Sequence, residues 1–382
     1  MDFELNEEQR LLQESVGRML AGAYDPDRRK RYASEPGGFS RAIWHTYAEL
    51  GLLGLPFEEK HGGIGGGAVE TMIVMESFGR VLALDPYLAS VVLSGGFIRL
   101  GGGDVVQSTI LPRIASGEML MAFAHAERQS RYDLADIAMT ARKDGSHVVL
   151  DGEKTLVLGG DSADQLIVSA RLSGARRDSS GIGLFLVGAA ADGVTRRGYP
   201  TIDGRRAAEI AFSGVRVAAD AVIGEPGNAF PLIEHIADHA IAALCAEAVG
   251  AMQALHDNTV EYLKTRKQFG VPIGNFQVLQ HRAAEMLIAL EQARSMALFA
   301  AMMADDADPA ARRQAMSAAK VQIGRSGRFI GQQAIQLHGG IGMTMDYSAG
   351  HYFKRLTAID TMFGDADHHL ARLARSGGLA AA

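Results

Sequence analysis

Two short stretches carry residues whose types and spacing suit binding and proton chemistry. In YLKTRKQFGVPIGNFQVLQH, residues 262–281, a helix ends near Phe269 and Gly270, a loop turns the chain, and a new helix begins about Asn275. Arg266 lies in the last turns beside Gln268 and Phe269. The planar fork of an arginine matches paired phosphate oxygens, so a pyrophosphate is a fitting partner. Phe269 offers a face to a flat ring system. Gln280 and His281 stand one turn into the next helix. The same residues also make an ordinary basic helix end with a core phenylalanine. In QLHGGIGMTMDYSAGHYFKR, residues 336–355, Gly339, Gly340 and Gly342 interrupt a helical region. Glycine lets a backbone approach a bound group closely. Asp346 and Tyr347 follow before another helix starts. A carboxylate there faces a ligand, caps the following helix or sits in solvent.

Other motifs exclude more than they assign. HGGIGGGAVE lacks the Lys-Ser/Thr of a phosphate loop and follows no clear strand, so it reads as a turn between helices. DADHH offers Asp365, Asp367, His368 and His369, but adjacent histidines point to different sides of a helix. No metal site is expected there, only a solvated helix face. The single cysteine, Cys245, sits among alanines and reads as packed core; it rules out an internal disulfide framework and a multi-thiolate site. The chain has 38 basic and 44 acidic residues, a net charge of −6. Arg176-Arg177 and Arg196-Arg197 are too few to build a nucleic-acid surface on that background. No uninterrupted apolar run reaches about 18 residues, so no membrane span is expected. The N-terminus MDFELNEEQR has no basic region followed by an apolar one. A cytoplasmic protein is the expectation.

The elements that must position these residues fall into three textures within 382 residues, an α+β arrangement. Residues 1–118 are helical: EEQRLLQESVGRML spaces Leu12, Val16 and Met19 as a helix does, with Asn6 and Gln9 set for a capping box. RAIWHTYAELGLLGL, AVETMIVMESFGRVLAL and LPRIASG continue it, the last ended by Gly117. Residues 119–226 change period. SHVVLDGEKTLVLGG reads as two runs about an Asp151-Gly152 turn, and further strand-like pieces suggest an antiparallel barrel or sandwich. Residues 227–382 are helical again, with four long helices suggesting a bundle.

RKQFG, the later Gln280, and QLHGGIGMT followed by a carboxylate and a tyrosine together resemble the acyl-CoA dehydrogenase family of flavoproteins. The three-part texture is similar over essentially the whole chain. Within the family the chain resembles in flavour the small subunit of a pimeloyl-type (dicarboxylyl) CoA dehydrogenase. The resemblance implies an N-terminal helical domain, a middle β domain and a C-terminal four-helix bundle. It implies FAD between the β domain and the bundle, across a subunit contact. Arg266 and Phe269 would serve the adenosine pyrophosphate end of the neighbouring protomer's FAD, completed by Gln336, Gly339 and Gly340, with Gln280 nearby. The family's base, usually a glutamate, would fall on Asp346. The β-domain segments 123–133 and 154–160 would lie beside the flavin ring.

The implied reaction is α,β-dehydrogenation of an acyl-CoA thioester. Asp346 takes the α-proton, flavin N5 takes the β-hydride, and an electron-transfer flavoprotein receives the electrons. A homo-oligomer, or a hetero-oligomer with a second dehydrogenase subunit, is implied as well. The chain departs from the family pattern at several positions. Aspartate is shorter than glutamate by about one C–C bond, roughly 1.5 Å. The alternative base position on the first bundle helix falls near Ala240, and the arginine often beside it is Ile241. The Thr-Glu-Pro motif of the β domain reads Ala126-Glu127-Arg128, and Tyr132 stands at a second hydroxyl position before Asp133. The usual tryptophan and threonine beside the flavin fall at Leu156 and Leu158. These losses favour a second reading: a weakly catalytic or non-catalytic subunit that supports a larger heteromeric dehydrogenase. Glu127 and Glu247 are the next carboxylates to consider as bases, although Glu247 reads as a structural helix residue. Arg128 and Arg131 meet a substrate carboxylate or the CoA phosphates, or are surface arginines.

Overall fold

The computed structural model describes residues 5–218 and 220–377. They gather into two compact units. One groups the described residues up to 30 with 68–83 and those from 241 onward; the other holds 31–67 and 84–240.

The first unit is helical. Glu7–Ala23 begins with the expected capping box: Asn6 accepts from the Gln9 N–H, and the Gln9 side chain accepts from the Asn6 N–H. Its buried residues are Val16 and Leu20. Ala68–Val81 crosses the long helix Phe230–Thr265 at a pair of glycines. A Cβ on Gly79 would stand 1.9 Å from the Glu247 carbonyl oxygen, and one on Gly250 would stand 1.9 Å from that of Glu76. Gln277–Met303 and Pro309–His338 follow. The former is long and apolar enough in composition to cross a membrane, but Met286, Leu290, Ala293 and Ala297 are buried inside the unit.

The fourth bundle helix, expected to run on, is broken into Ser348–Thr361 and Ala366–Arg375. Phe363 (φ 55°) and Gly364 (φ 107°) turn the chain left-handed between them. Asp365 then caps the second piece by accepting from the His368 N–H. Lys320, buried, donates to the carbonyls of Ile359, Asp360 and Met362 and so satisfies the end that the break exposes. His369 is fully buried, which corrects the solvated face expected for DADHH. Cys245 is core as expected, and burial pushes its thiol up to about 12.

The second unit carries helices at Arg41–Glu49 and Asp104–Ala115 and a π-helical turn at Leu88–Gly95 leading into Gly96–Gly101. Beside them lies a sheet of β1 (Met121–Ala124), β2 (Thr140–Asp144), β3 (His147–Leu158), β4 (Gln165–Arg171), β5 (Ile182–Gly188), β6 (Val194–Pro200), β7 (Arg206–Ala218) and β8 (Val222–Ile223). Among the described residues the order is β6-β7-β3-β2-β4-β5-β8, with β1 also on β4. The sheet is mixed: β1 and β2 both run parallel to β4, and the other pairs are antiparallel.

Asp151-Gly152 is not a hairpin turn. The chain turns at Gly145-Ser146, and β3 runs straight through, with a register shift against β7 between Leu150 and Gly152. Gly152 (φ 146°) sits where a Cβ would press on Met139 at 2.8–2.9 Å, and Asp151 accepts from the Gly214 N–H. The dipeptide that resembles a turn is a bulge held by its neighbours.

Candidate active site

The two glycine- and arginine-bearing stretches meet through three rings. Tyr262 lies one turn before Arg266, His338 just before Gly339, and Tyr347 just after Asp346. The Tyr262 and His338 rings are 4.5 Å apart, and Tyr262 meets Tyr347 edge-on at 6.1 Å. His338 Nδ1 is 2.8 Å from the Ala334 carbonyl oxygen and Nε2 is 3.1 Å from the Tyr347 hydroxyl. A carbonyl only accepts, so Nδ1 holds the hydrogen and Nε2 accepts from the tyrosine. Burial keeps His338 below its ordinary pKa, which favours this neutral form. The bond joins both ends of the loop that holds Gly339, Gly340 and Asp346. Sequence reasoning missed this trio because Tyr262 lies in one stretch and His338 and Tyr347 in the other, with no spacing that links them.

From that base the candidate residues project outward. Past Thr265 the chain makes a tiny hairpin, Lys267–Gln268 with Val271–Pro272. Phe269 (φ 54°) and Gly270 (φ 83°) form its two-residue turn, both left-handed as a type I′ turn requires. A phenylalanine in that region is strained, and its side chain is 91% exposed. The expected core phenylalanine is thus excluded. Arg266 is exposed, and its carbonyl accepts from the Ile273 N–H at 2.8 Å. Gln280 is exposed and donates to the Gly274 carbonyl oxygen at 2.8 Å. Gln336, Gly339 and Gly340 are exposed at the end of Pro309–His338. A Cβ on Gly339 or Gly340 would meet open space, so the backbone there is free to be approached. Asp346 is exposed on a turn ahead of Ser348–Thr361.

In the middle sheet, segments 123–133 and 154–160 are joined by the Thr155 N–H donating to the Ala126 carbonyl at 2.8 Å. Glu127 is buried and fully engaged: it accepts from Lys154 Nζ (2.8 Å), Gln129 Nε2 (2.6 Å) and the N–H groups of Ala138 (2.8 Å) and Met139 (3.1 Å). Burial alone would raise its pKa; the charge and hydrogen bond of Lys154, with the Gln129 and Ala138 donors, outweigh it and hold the carboxyl below its ordinary value. Lys154 also donates to the His125 carbonyl and to Ser169 Oγ. Leu156 is half exposed with φ 50°. Arg128 pairs with Glu209, and Arg131 is exposed. Glu247 is fully buried in a two-pronged pair with Arg355, at 2.6 and 2.7 Å. Ala240 and Ile241 are both buried.

Comparison with known proteins assigns the whole chain. The acyl-CoA dehydrogenase N-terminal, middle and C-terminal domain families match residues 6–118, 122–215 and 230–378. The chain belongs to the acyl-CoA dehydrogenase family. The Bacillus subtilis protein named "Probable acyl-CoA dehydrogenase YngJ" is 31% identical over 353 residues, 91% of this chain and 92% of that one. Among solved structures, the Tcur3481-Tcur3483 steroid ACAD superposes with a TM-score of 0.87 at 29% identity, covering 98% of this chain and 99% of that one. The ChsE4-ChsE5 complex from Mycobacterium tuberculosis does so with a TM-score of 0.88 at 25% identity, covering the full length of both chains. Membership of the acyl-CoA dehydrogenase family carries the general chemistry of FAD-dependent CH–CH oxidoreduction on an acyl-CoA-like substrate. In an acyl-CoA dehydrogenase frame, the exposed hairpin and glycine loop suit FAD: an arginine fork, an aromatic face and unobstructed backbone stand on one unit.

Proposed function

We propose that this chain is a supporting subunit of an FAD-dependent acyl-CoA dehydrogenase, contributing cofactor-binding elements to a site that a partner chain completes. One observation carries this reading. None of the three candidate carboxylates is both sheltered and unengaged. Glu127 is held by four hydrogen bonds, Glu247 is locked to Arg355, and Asp346 is open to water. An α-proton of a thioester is only weakly acidic, and a carboxylate takes it effectively where water is excluded. The proton-abstracting base is therefore supplied by the partner.

In this reading Arg266 pairs with the pyrophosphate of FAD, Phe269 covers a ring of its adenosine end, and Gln336, Gly339 and Gly340 offer polar groups and bare backbone. Gln280 holds the Gly274 turn beside them. FAD supplies the hydride acceptor, and an electron-transfer flavoprotein in the cytoplasm drains the electrons. Flavin contacts of the middle sheet are made by backbone amides or by other side chains, since Ala126 and Leu158 carry no hydroxyl.

A second reading makes Asp346 the base of a homo-oligomer. It is favoured by the place of Asp346 between the glycine loop and Tyr347, where a closing neighbour would shelter it. One experiment separates the two. The chain is purified alone and with a co-expressed partner, visible spectra are recorded, and acyl-CoAs are added without oxygen. Flavin retained only with the partner, and bleaching near 450 nm unchanged in Asp346→Ala, supports the subunit role. Bleaching by the lone chain that vanishes in Asp346→Ala establishes direct catalysis instead.

A further inference from the structure

Near its start the helix Phe230–Thr265 reads His235-Ile236-Ala237-Asp238-His239. Residues four apart on a helix share a face, with their Cβ atoms about 5–6 Å from each other. The two imidazoles accordingly lie side by side, both half-buried. Their Nε2 atoms are 3.2 Å apart and their ring centroids 5.0 Å apart, with the planes tilted by 33°. The backbone beneath them is held firmly. Leu232 and Ile236, on the neighbouring stripe of the same turns, lie over Gly101 and Gly96, where a Cβ would collide with their side chains. Arg266 and the hairpin proposed to meet FAD come only after the other end of this helix.

A hydrogen bond from one Nε2–H to the other Nε2 is the ordinary use of such a contact. It asks one ring to aim its hydrogen along the line to the facing nitrogen. Two imidazoles joined head-on at this nitrogen spacing would set their centroids about 5.5 Å apart. The observed centroids are closer, so the nitrogen axes are bent off the line that joins them. Two lone pairs bent to one side meet at a common centre. Zinc holds imidazole nitrogens at about 2.0–2.1 Å, and two such ligands at the tetrahedral angle stand about 3.3–3.4 Å apart. The histidine pair already lies within about 0.2 Å of that edge.

We propose that His235 and His239 chelate a divalent cation of the zinc class. Each ring then keeps its hydrogen on Nδ1 and gives the Nε2 lone pair to the cation. With both rings neutral at the outset, the ring that held Nε2–H moves that hydrogen to Nδ1, and no net proton is gained or lost. The spacing is that of the two zinc ligands in H-E-x-x-H helices. Here Ile236 stands where the glutamate base of those helices would be, so the cation is held without a hydrolytic partner. Water fills the positions that two protein ligands leave open. Imidazole suits zinc, copper and nickel, whereas magnesium and calcium take oxygen. The chelate closes one turn of the helix and stabilises the folded chain as free cation rises. This site goes beyond the flavin reading and does not depend on it.

The test uses the full chain in its flavin-loaded assembly, free of any affinity tag. Zn²⁺ and Mg²⁺ are titrated calorimetrically into wild type, His235→Gln, His239→Gln and the double variant. Glutamine is a good helix former, and metal-free melting temperatures check that each variant folds. One zinc per chain is expected in wild type. Its affinity is expected to fall about a hundredfold in either single variant, because the second imidazole binds at high effective concentration. Mg²⁺ is expected to give no heat that depends on either histidine. Substoichiometric Cu²⁺ supplies a second readout: its EPR spectrum should show two imidazole nitrogens in wild type and one fewer in each single variant. Zinc bound as tightly by the double variant as by wild type overturns the site. A loss confined to one single variant marks a lone histidine ligand and overturns the chelate. Several weak zinc sites per chain, with none stronger than the rest, mean an adventitious ion only and overturn it as well. Flavin content should be the same in all four proteins, so a failed metal site leaves the flavin reading untouched.

Discussion

His369 has no place for a second proton. Its Nε2 donates to the Phe363 carbonyl at 2.9 Å, and its Nδ1, 3.1 Å from Ser317 Oγ, is left to accept from that hydroxyl. Burial, reinforced by Lys320, pushes its pKa down to about 3; burial and then Lys154 push His125 down to about 3. Unfolded, both titrate near about 6.5. Between those values the unfolded chain binds protons that the folded chain refuses. Stability from these groups is complete above the unfolded value and drains away as pH falls toward 3, by up to about 1.4 kcal/mol per pH unit for each histidine. Urea midpoints taken from pH 7.5 to 5 are expected to show this slope. His369→Gln should lower the midpoint at pH 7.5 yet flatten its fall; an unchanged slope would clear His369 of the effect. Lys154 offers a harsher residue-level test. Lys154→Met strands the Glu127 carboxylate without its cation, and the expected loss is about 3–5 kcal/mol in denaturant unfolding. A loss below 1 kcal/mol would show that Glu127 simply takes up a proton. The sequence displayed Glu127 but not its commitment, because Lys154, Gln129 and the 138–139 backbone reach it only after folding. Arg266, Phe269 and the glycines stand out as candidates because neighbours in sequence define them.

Elements were legible where local patterns govern them. The Asn6/Gln9 capping box and the 36-residue helix Phe230–Thr265 rest on residues a few positions apart. The misread elements were decided from afar. Gly152 bulges because Met139 presses on it, and the last helix breaks at Phe363 and Gly364 because Lys320 is there to take up the freed carbonyls. The crossing of Ala68–Val81 with Phe230–Thr265 is another long-range decision. Gly79 and Gly250 each face the other helix's backbone, so neither helix can yield by rotating a side chain. Gly79→Ala and Gly250→Ala each force the axes apart. Each is expected to cost about 2–3 kcal/mol, at the upper end of overpacking penalties, despite alanine's better helix propensity. Thermal unfolding of the two single variants and the double variant checks this. Once one methyl has opened the crossing, the second should cost less, so the double variant falls short of the sum. A stabilised single variant would mean that the helices do not meet there.

The largest scale returns to Phe269. A lone copy of this chain exposes an apolar set on one unit: Phe269, Val278 and Ile288 with Met343 and Met345 of the glycine loop. Single exposed apolar residues are ordinary, but a phenylalanine held left-handed at a hairpin turn, almost wholly in water, costs the isolated chain twice. The backbone strain is about 1–2 kcal/mol, and the ring gains nothing from burial. Both costs make sense if a partner chain and its cofactor cover the ring. Phe269→Gly separates the costs. Glycine adopts the same turn freely, so the isolated chain is expected to become more stable by about 1 kcal/mol, less the entropy that glycine adds to the unfolded state. The assembled protein should move the other way, losing flavin more readily on dilution and shifting toward smaller species in sedimentation. A rise in melting temperature together with a loss of flavin is an outcome that general destabilisation cannot produce. If instead the variant retains flavin and assembly unchanged, the strained aromatic turn is not a cofactor contact, and the exposed hairpin must be explained without one.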